Sequence, residues 1–187
     1  MIPLLITLLL VGCNENISTK EEVYKDFQKK ITSMNGYECE VEVKATGNKS
    51  TSTYTAIHKY KKEDQYIVEM TSPKHLKGKI IEYKGDNLKI TNPELNDIVQ
   101  IQNKGRKDQY LFVGEFIKNY LQTEEIEINF NNESLILKTE IPGESEYFKY
   151  QVMYINKKTK CPERMDVIDE QGNTRFTIKY ENFIYNK

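Results

Sequence analysis

Histidine, cysteine and acidic side chains are the groups of this sequence that could bind a metal ion or transfer a proton. The chain has only two histidines, His58 and His75, and neither has a second histidine or a cysteine at ligand spacing. Zinc sites need such neighbours, so the sequence predicts no metal centre. It also has no P-loop, nucleophile elbow or dinucleotide-binding glycine run, and we expect no cofactor.

Acidic residues are numerous, but they follow a strand pattern. Glu38, Glu40 and Glu42 alternate with apolar residues, which is typical of the solvent-facing side of a strand. Two carboxylates that meet in space could form a glycosidase-like pair, but nothing in the sequence selects two of them. We therefore expect no catalytic residue. The formal net charge of −1 gives no reason to expect nucleic acid as a partner.

Cys13 is the one residue whose surroundings predict a covalent reaction. It follows an apolar run, from Ile2 to Gly12, of about eleven residues, which suits a signal-peptide core, whereas a membrane-spanning helix needs roughly 20. The stretch Leu10-Val11-Gly12-Cys13 resembles a bacterial lipobox, in which a small residue precedes the cleaved bond and the thiol receives the lipid. We expect cleavage between Gly12 and Cys13 and a diacylglyceryl group on Cys13, because two acyl chains suffice for stable anchoring.

The alternative interpretation of this region is an apolar tail that ends at a cysteine by chance. No basic residue precedes the run, which begins Met1-Ile2-Pro3, so we expect a truncated or misassigned start. After cleavage, residues 13–17 form a tether that reaches at most about 18 Å. We therefore expect a membrane-anchored, extracytoplasmic protein whose folded body lies against the membrane surface.

Cys39 and Cys161 also need an interpretation, because export permits disulfide bonds. Cys39 falls in the apolar set of an alternating segment, and Cys161 precedes Pro162 near a turn. We favour two ordinary packed thiols over a bridge, although the spacing does not decide between them.

The elements that would position these residues follow two hydrophobic periods. Ser18 with Glu21 fits a capping box and predicts a helix that ends at Gly36. Strand-like alternation separated by short turns then predicts an antiparallel meander, interrupted by a helical stripe at 109–122. The predicted strands are 37–45, 53–60, 66–70, 79–83, 88–91, 98–102, 126–130, 135–141, 147–155, 163–168 and 175–180.

The predicted strands are rich in aromatic residues. Half-buried packing explains this enrichment, and the alternative is an aromatic-lined concave sheet that binds a ligand or a partner. Phe116 and Tyr120, on the predicted insert helix, either fill the interior of the sheet or line an open cavity, and we expect a packed interior. The aromatics in or beside strands are Tyr54, Tyr60, Tyr66, Tyr83, Tyr147, Phe148, Tyr150, Tyr154, Phe176, Tyr180, Phe183 and Tyr185.

The order of these elements resembles the lipoprotein-carrier (LolA-like) superfamily. The similarity is carried by the segment Met70-Thr-Ser-Pro73, by the run from Ile80 to Pro93 and by the tail from Ile155 to Phe183. The resemblance implies an α+β fold, an antiparallel β half-barrel with an N-terminal helix and a helical insert packed on the sheet.

The resemblance also predicts a domain organisation. Residues 1–12 would be a lipoprotein signal peptide, residues 13–17 a short lipidated tether and residues 18–187 a single LolA-like domain. No low-complexity linker or internal repeat interrupts this last segment.

Within the superfamily, the chain most resembles a lipid-anchored spore-germination lipoprotein of clostridia. This implies a non-enzymatic protein of the forespore membranes or intermembrane space. Its protein partner would be a cortex N-acetylmuramoyl-L-alanine amidase, which it enables to form muramic-δ-lactam in spore peptidoglycan. Because carriers of the superfamily hold acyl chains in an apolar cavity, the alternative is a membrane-tethered binder of lipids or lipoproteins. Long edge strands would also permit a homodimer, by edge pairing or strand swapping.

Overall fold

The computed structural model describes residues 19–63, 65–102, 108–123 and 126–186. These residues form two α-helices, one short 3-10 helix at Asp108–Leu111 and eleven strands. In chain order the helices and strands are α1 (Lys20–Ser33), β1 (Gly36–Thr46), β2 (Thr51–Lys61), β3 (Gln65–Ser72), β4 (Ile80–Lys84), β5 (Asn87–Asn92), β6 (Asp97–Gln102), α2 (Val113–Gln122), β7 (Glu127–Phe130), β8 (Ser134–Glu140), β9 (Tyr150–Asn156), β10 (Pro162–Ile168) and β11 (Thr174–Asn186).

The strands form one open antiparallel sheet in the order β6-β5-β4-β3-β2-β1-β11-β10-β9-β8-β7. The chain moves outward from β1 to the edge at β6 and passes through α2. It then begins again at the opposite edge, β7, and returns inward until β11 pairs with β1. The predicted α+β fold, with an antiparallel sheet, an N-terminal helix and a helical insert, is confirmed.

Helix α1 begins one residue later than the sequence predicted. The N-cap is Thr19, whose hydroxyl accepts a hydrogen bond from the Glu22 backbone N–H at 3.2 Å, while the Glu22 carboxylate accepts one from the Thr19 N–H at 2.8 Å. The prediction of Ser18 with Glu21 was therefore wrong, and Ser18 itself lies outside the described residues. The sequence contains two overlapping capping boxes, and only the three-dimensional contacts distinguish them.

Gly36 was expected to end this helix, but it is the first residue of β1. The helix ends at Ser33, and Met34 provides the C-cap. A Cβ atom on Gly36 would lie 2.1 Å from the Tyr60 carbonyl oxygen. The strands β1 and β2 therefore approach too closely at this point for any residue other than glycine.

The helical insert and the last strand also differ from the sequence prediction. The stripe at 109–122 is split, since Phe112 is the N-cap of α2 and the preceding turn is a 3-10 helix. Strand β11 continues to Asn186, beyond the predicted end at 180, because its last residues pair with the start of β1 through Tyr37↔Tyr185. A residue with a φ of 51°, Asn182, lies where the β1–β11 register shifts, as a bulge requires.

Both helices pack on one face of the sheet, which we call the inner face. Helix α1 buries Val23, Phe27 and Ile31, and the hydroxyls of Tyr24 on α1 and Tyr120 on α2 are hydrogen-bonded to each other. Side chains from the β8–β11 half of the sheet complete the core, and the fully buried apolar ones are Leu135, Leu137, Met153, Ile155, Met165, Val167 and Ile178. Neither of the described helices is long and apolar enough to cross a membrane.

Candidate protein-docking surface

A row of side chains crosses seven strands on the inner face, because residues paired directly across an antiparallel sheet point to the same side. We call it the tyrosine row, and it runs in spatial order through Tyr185, Tyr37, Tyr60, Tyr66, Tyr83, Leu88 and Ile101. Neighbouring rings are in contact, with centroid distances of 5.4 Å for Tyr37–Tyr60 and 4.9 Å for Tyr60–Tyr66. The row therefore connects the middle of the sheet to its edge.

A second row runs beside the first, two residues along each strand. We call it the histidine row, and it contains Cys39, His58, Val68, Ile81, Ile90 and Val99. Its members on β1, β2 and β3 are buried, those on β4 and β5 are half-buried, and Val99 on β6 is 44% exposed. In the tyrosine row, Tyr37 and, on β5, Leu88 are buried, and Ile101 on β6 is 45% exposed.

Helix α2 covers the central part of the tyrosine row. Its residue Gly114 lies so close to the sheet that a Cβ atom there would be 2.7 Å from the Tyr66 hydroxyl and 3.0 Å from its ring. Phe112, at the N-cap, stacks on Tyr66 with ring centroids 4.5 Å apart and meets the edge of Tyr83 at 5.3 Å. A glycine at this position allows the helix to sit directly on the aromatic rings.

Phe116 and Tyr120, the aromatics singled out in the sequence, lie on the buried face of α2. Their side chains are 0% and 2% exposed and belong to the core cluster, with ring centroids 6.2 Å apart. Residues four apart on a helix share a face, which is why the helical period indicated that both would point inward.

Buried amides fix the other side of α2 to β8 and β9. The Asn119 side-chain amide donates to the Glu140 carbonyl at 2.7 Å and to the Gln151 side-chain oxygen at 3.3 Å. Gln151, which is fully buried, in turn donates to the Tyr110 carbonyl at 2.7 Å. Such hydrogen bonds satisfy buried polar groups and specify one orientation of the helix.

Three titratable side chains of the inner face, His58, Cys39 and Tyr66, are held in their neutral forms by burial. Burial lowers the pKa of His58 to about 3, so the imidazole is uncharged near neutral pH and unsuited to act as an acid there. Burial and, second, the Glu38 charge raise the pKa of the Cys39 thiol, which makes it a poor nucleophile. Tyr66 donates to the Glu115 carboxylate at 3.1 Å, and burial, followed by that carboxylate, raises the pKa of Tyr66.

A small apolar cavity lies between the histidine row and the turn that precedes α2. Its volume is about 150 Å³, and its walls include His58, Val68, Met70 and Phe112. A cavity of about this size holds a molecule like benzene, whereas sites for larger ligands measure roughly 300–1,000 Å³. A long acyl chain does not fit in it.

The residues with metal-ligand or disulfide chemistry remain apart. Within the described ranges, no three His, Cys, Asp or Glu side chains are grouped in a way that could hold a metal ion. Cys39 is buried and Cys161 is half-buried, and both are free thiols, as the sequence interpretation favoured. The predicted cleavage and lipidation residues, Gly12 and Cys13, lie outside the described residues.

The inner face is open at β6, the edge strand of the sheet. All six residues of β6 are exposed, and Ile98, on the outer face, is 56% exposed. Leu95, in the turn before β6, is 73% exposed. A groove of about 470 Å³ also runs along this end, but its lining is mostly polar and includes Gln100, Gln102 and the Lys89–Glu82 ion pair, which the strand pairing places on the outer face. The exposed apolar side chains of β6 and of the turn before it are of the kind that typically marks an interaction site.

Sequence reasoning missed this open end. The two-residue alternation of side chains along a strand placed Val99 and Ile101 on the same side of β6. It gave no reason to expect that these two side chains would be exposed. The available signal was the composition of the strand itself, since Asp97-Ile-Val-Gln-Ile-Gln102 carries one charge and no proline, unlike most edge strands.

Comparison with known proteins shows which family the chain matches. The family model described as "Sporulation protein YdcC-like" matches residues 1–187. The GerS lipoprotein, solved in complex with the CwlD amidase from Clostridioides difficile, is similar with 54% identity over 90% of this chain and 97% of that chain, at a TM-score of 0.58. No protein in the curated set matches significantly.

Two solved structures match this chain at lower sequence identity. An uncharacterized conserved protein from Thermus thermophilus matches at 14% identity over 89% of this chain and 87% of that chain, with a TM-score of 0.51. The LolA superfamily protein NE2245 from Nitrosomonas europaea matches at 13% identity over 87% and 93% of the two chains, with a TM-score of 0.43.

Proposed function

The chain belongs to the sporulation protein YdcC-like family, and we propose that it is a non-enzymatic, extracytoplasmic lipoprotein that binds and enables a cortex peptidoglycan amidase. The observation that carries this proposal is the 54% identity to the GerS lipoprotein, which was solved in complex with an amidase. At this identity over nearly the whole chain, a shared mode of action is the simplest expectation.

The packing of the inner face supports a scaffold over a carrier. The space beneath α2 is filled by the protein's own Phe116 and Tyr120, and the remaining cavity of about 150 Å³ has no room for a long acyl chain. A tethered lipid binder, the second candidate, would need α2 to move away from Tyr66 and break the contacts of Asn119.

The proposed role assigns the chemistry to the partner. Within the described residues, His58 is buried and neutral near pH 7, and none of the acidic groups forms a metal-binding cluster. The amidase would therefore supply the catalytic residues that lead to muramic-δ-lactam, and this chain would hold the amidase in a competent state at the forespore membranes.

Affinity purification from sporulating cells tests the proposal directly. A tagged full-length protein, extracted in detergent, should retain a cortex amidase in a stoichiometric amount that mass spectrometry identifies. Co-purified acyl chains or lipoproteins without an amidase would favour the tethered lipid binder. A preparation that hydrolyses peptidoglycan with no amidase present would contradict the non-enzymatic role.

The lipid anchor is a separate part of the proposal. Cys13 at the end of the apolar run would carry the diacylglyceryl group, so Cys13→Ala should move the protein from the detergent-soluble membrane fraction to the aqueous fraction. Cys161→Ala is the matched control and should leave the fractionation unchanged. If Cys13→Ala and the parent fractionate alike, Cys13 is not the anchor.

A further inference from the structure

We propose that β6 is the docking edge for the amidase, which adds an extended segment to the sheet as a further strand beside β6. This inference rests on the proposed function, since it takes the amidase as the partner. It assigns a surface, a register of contacts and a mode of binding that neither the family nor the fold by itself provides.

The first argument is that β6 lacks the features that protect an edge strand. Charged residues, proline and bulges normally prevent an exposed edge from pairing with another chain. All six residues of β6 are exposed, and Asp97 is its only charged residue. Its pairing with β5 is regular from Asn87↔Gln102 to Asn92↔Asp97, without a bulge.

The opposite edge of the sheet is different. Strand β7 has four residues, and Glu127 at its start forms an ion pair with Lys138 at 2.8 Å. Each edge strand carries one charged residue, but the shorter β7 offers fewer main-chain groups for pairing than the six-residue β6. The longer open edge of the sheet is therefore β6.

The second argument comes from the two rows of the inner face. The tyrosine row ends at Ile101 and the histidine row ends at Val99, and both side chains are nearly half exposed. A strand added beside β6 would place a residue opposite each of them and continue both rows. We therefore expect the segment that binds here to be extended, with apolar side chains at alternating positions and no charged residue opposite Ile101 or Val99.

The area to be covered favours the amidase over a second copy of this chain. Strand pairing alone gives a narrow contact about 20 Å long over six residues. Specific interfaces, in contrast, bury roughly 1,200–2,000 Å² in total. Two copies paired through β6 about a two-fold axis would extend the sheet sideways. The inner-face surfaces of Val99 and Ile101 would then remain exposed in both copies.

A different protein can combine strand addition with a second contact on the inner face. In the histidine row, the half-buried Ile90 and Ile81 lie next to the exposed Val99, so there the apolar surface continues inward from the edge, whereas Leu88 in the tyrosine row is already buried. A partner that adds a strand and also covers this surface buries more area than strand pairing alone. Main-chain hydrogen bonds along β6 would supply affinity, and the alternating side chains would supply specificity.

Charge substitutions at the two edges test the proposed site. Binding of a purified CwlD-type amidase to the detergent-solubilised full-length protein would be measured for the parent, for Ile101→Lys and for the matched control Ile128→Lys on β7, where Ile128 is 42% exposed. We expect Ile101→Lys to bind at least about tenfold more weakly and Ile128→Lys to bind like the parent. Thermal melts of all three should agree, because both residues are exposed.

Hydrogen exchange distinguishes strand addition from side-chain contact alone. In the complex, the backbone amides of alternate β6 residues, those facing away from β5, should exchange more slowly than in the free protein. Unchanged β6 exchange in a formed complex, or equal binding by the parent and Ile101→Lys, would overturn the docking edge and leave the proposed function standing. A parent that does not bind the amidase would overturn both.

Light scattering of the protein alone tests whether a second copy of this chain binds at β6 instead of the amidase. We expect the oligomeric state of Ile101→Lys to match that of the parent. If the parent is a dimer and Ile101→Lys is a monomer, β6 pairs with a second copy and the assignment to the amidase is wrong.

Discussion

The closed centre and the open end of the inner face are built from the same two rows but differ in what covers them. On β1 to β3 the rows lie beneath α2 and the aromatic Phe112, and their residues are almost all buried. On β6 the rows end in Val99 and Ile101, which are nearly half exposed. The alternation of apolar residues continues unchanged across this boundary. The pattern therefore predicts which face of the sheet is apolar, but it does not predict whether anything covers that face.

The two regions should therefore respond differently to substitution. Truncation at the closed centre removes packing and should lower the stability of the fold. Truncation at the open end should leave stability unchanged and affect only association. The following predictions test this contrast in proteins that span residues 18–187.

Phe116→Ala should have the largest effect, because Phe116 is fully buried between α2 and the sheet. Truncating a packed phenylalanine typically costs about 3–5 kcal/mol of unfolding free energy, and urea denaturation would measure it. Binding to the amidase should be lost only where the protein unfolds. A folded Phe116→Ala that retains its stability but loses affinity for a fatty-acyl probe would show instead that the residue lines a ligand cavity.

Gly114→Ala should destabilise the fold by about 1–3 kcal/mol, the usual range for overpacking. The added methyl group would lie 2.7 Å from the Tyr66 hydroxyl and 3.1 Å from the Tyr60 ring, and the stacked rings leave Tyr66 little space to move. Leu121→Ala, on the exposed side of the same helix, is the control and should change stability little. A Gly114→Ala protein as stable as the parent would show that α2 can shift away from the sheet.

His58→Leu should reduce the loss of stability in acid. The folded pKa is about 3 and the unfolded value is about 6.5, so only the unfolded chain binds a proton at His58 between these values. Stability therefore falls as pH drops from about 6.5 towards 3, by up to about 1.4 kcal/mol per pH unit from this residue. Urea denaturation at several pH values should show that His58→Leu lacks this part of the dependence.

Val68→Ala is the matched control for that experiment. Val68 lines the same cavity as His58 but does not titrate, so its replacement should lower stability by the same amount at every pH. If His58→Leu and the parent lose stability in parallel on acidification, the imidazole is not held neutral in the folded protein.

Val99→Ala and Ile101→Ala should have the smallest effects on stability. Both side chains are substantially exposed, and surface substitutions usually change the unfolding free energy by less than about 0.5 kcal/mol. Urea denaturation of each variant would measure this. A loss of about 2 kcal/mol or more, the range of a truncated core residue, would mean that the end of the sheet is as tightly packed as its centre, and the contrast between the two regions would disappear.

The sequence predicted the existence and type of most elements, because local periodicity determines them. Alternation placed every described strand to within a few residues, apart from the longer end of β11, and the helical stripe placed Phe116 and Tyr120 on one face. The errors arose where a local signal was degenerate or a long-range contact took part. Two overlapping capping boxes left Ser18 and Thr19 equivalent in sequence, and the extension of β11 depends on pairing with β1.

The candidate site was much less accessible to sequence reasoning. A tyrosine row exists only when Tyr37, Tyr60 and Tyr66 come into register on three strands, and register is a property of strand pairing, not of any single strand. The amides of Asn119 and Gln151 meet across 32 residues of chain, and no local pattern indicates that they do.

The sequence by itself determined the α+β class and the side of each strand that is apolar, because these depend on a period of two or 3.6 residues. The lipidation at Cys13 stays a prediction from a short motif. The tertiary structure decided which apolar surface is covered. Helix α2 reaches β1 to β3 and is held there by Gly114 and Asn119, so the rows are buried at the centre and exposed at β6. Burial depends on what lies above a side chain, and that is set by contacts between segments far apart in the chain.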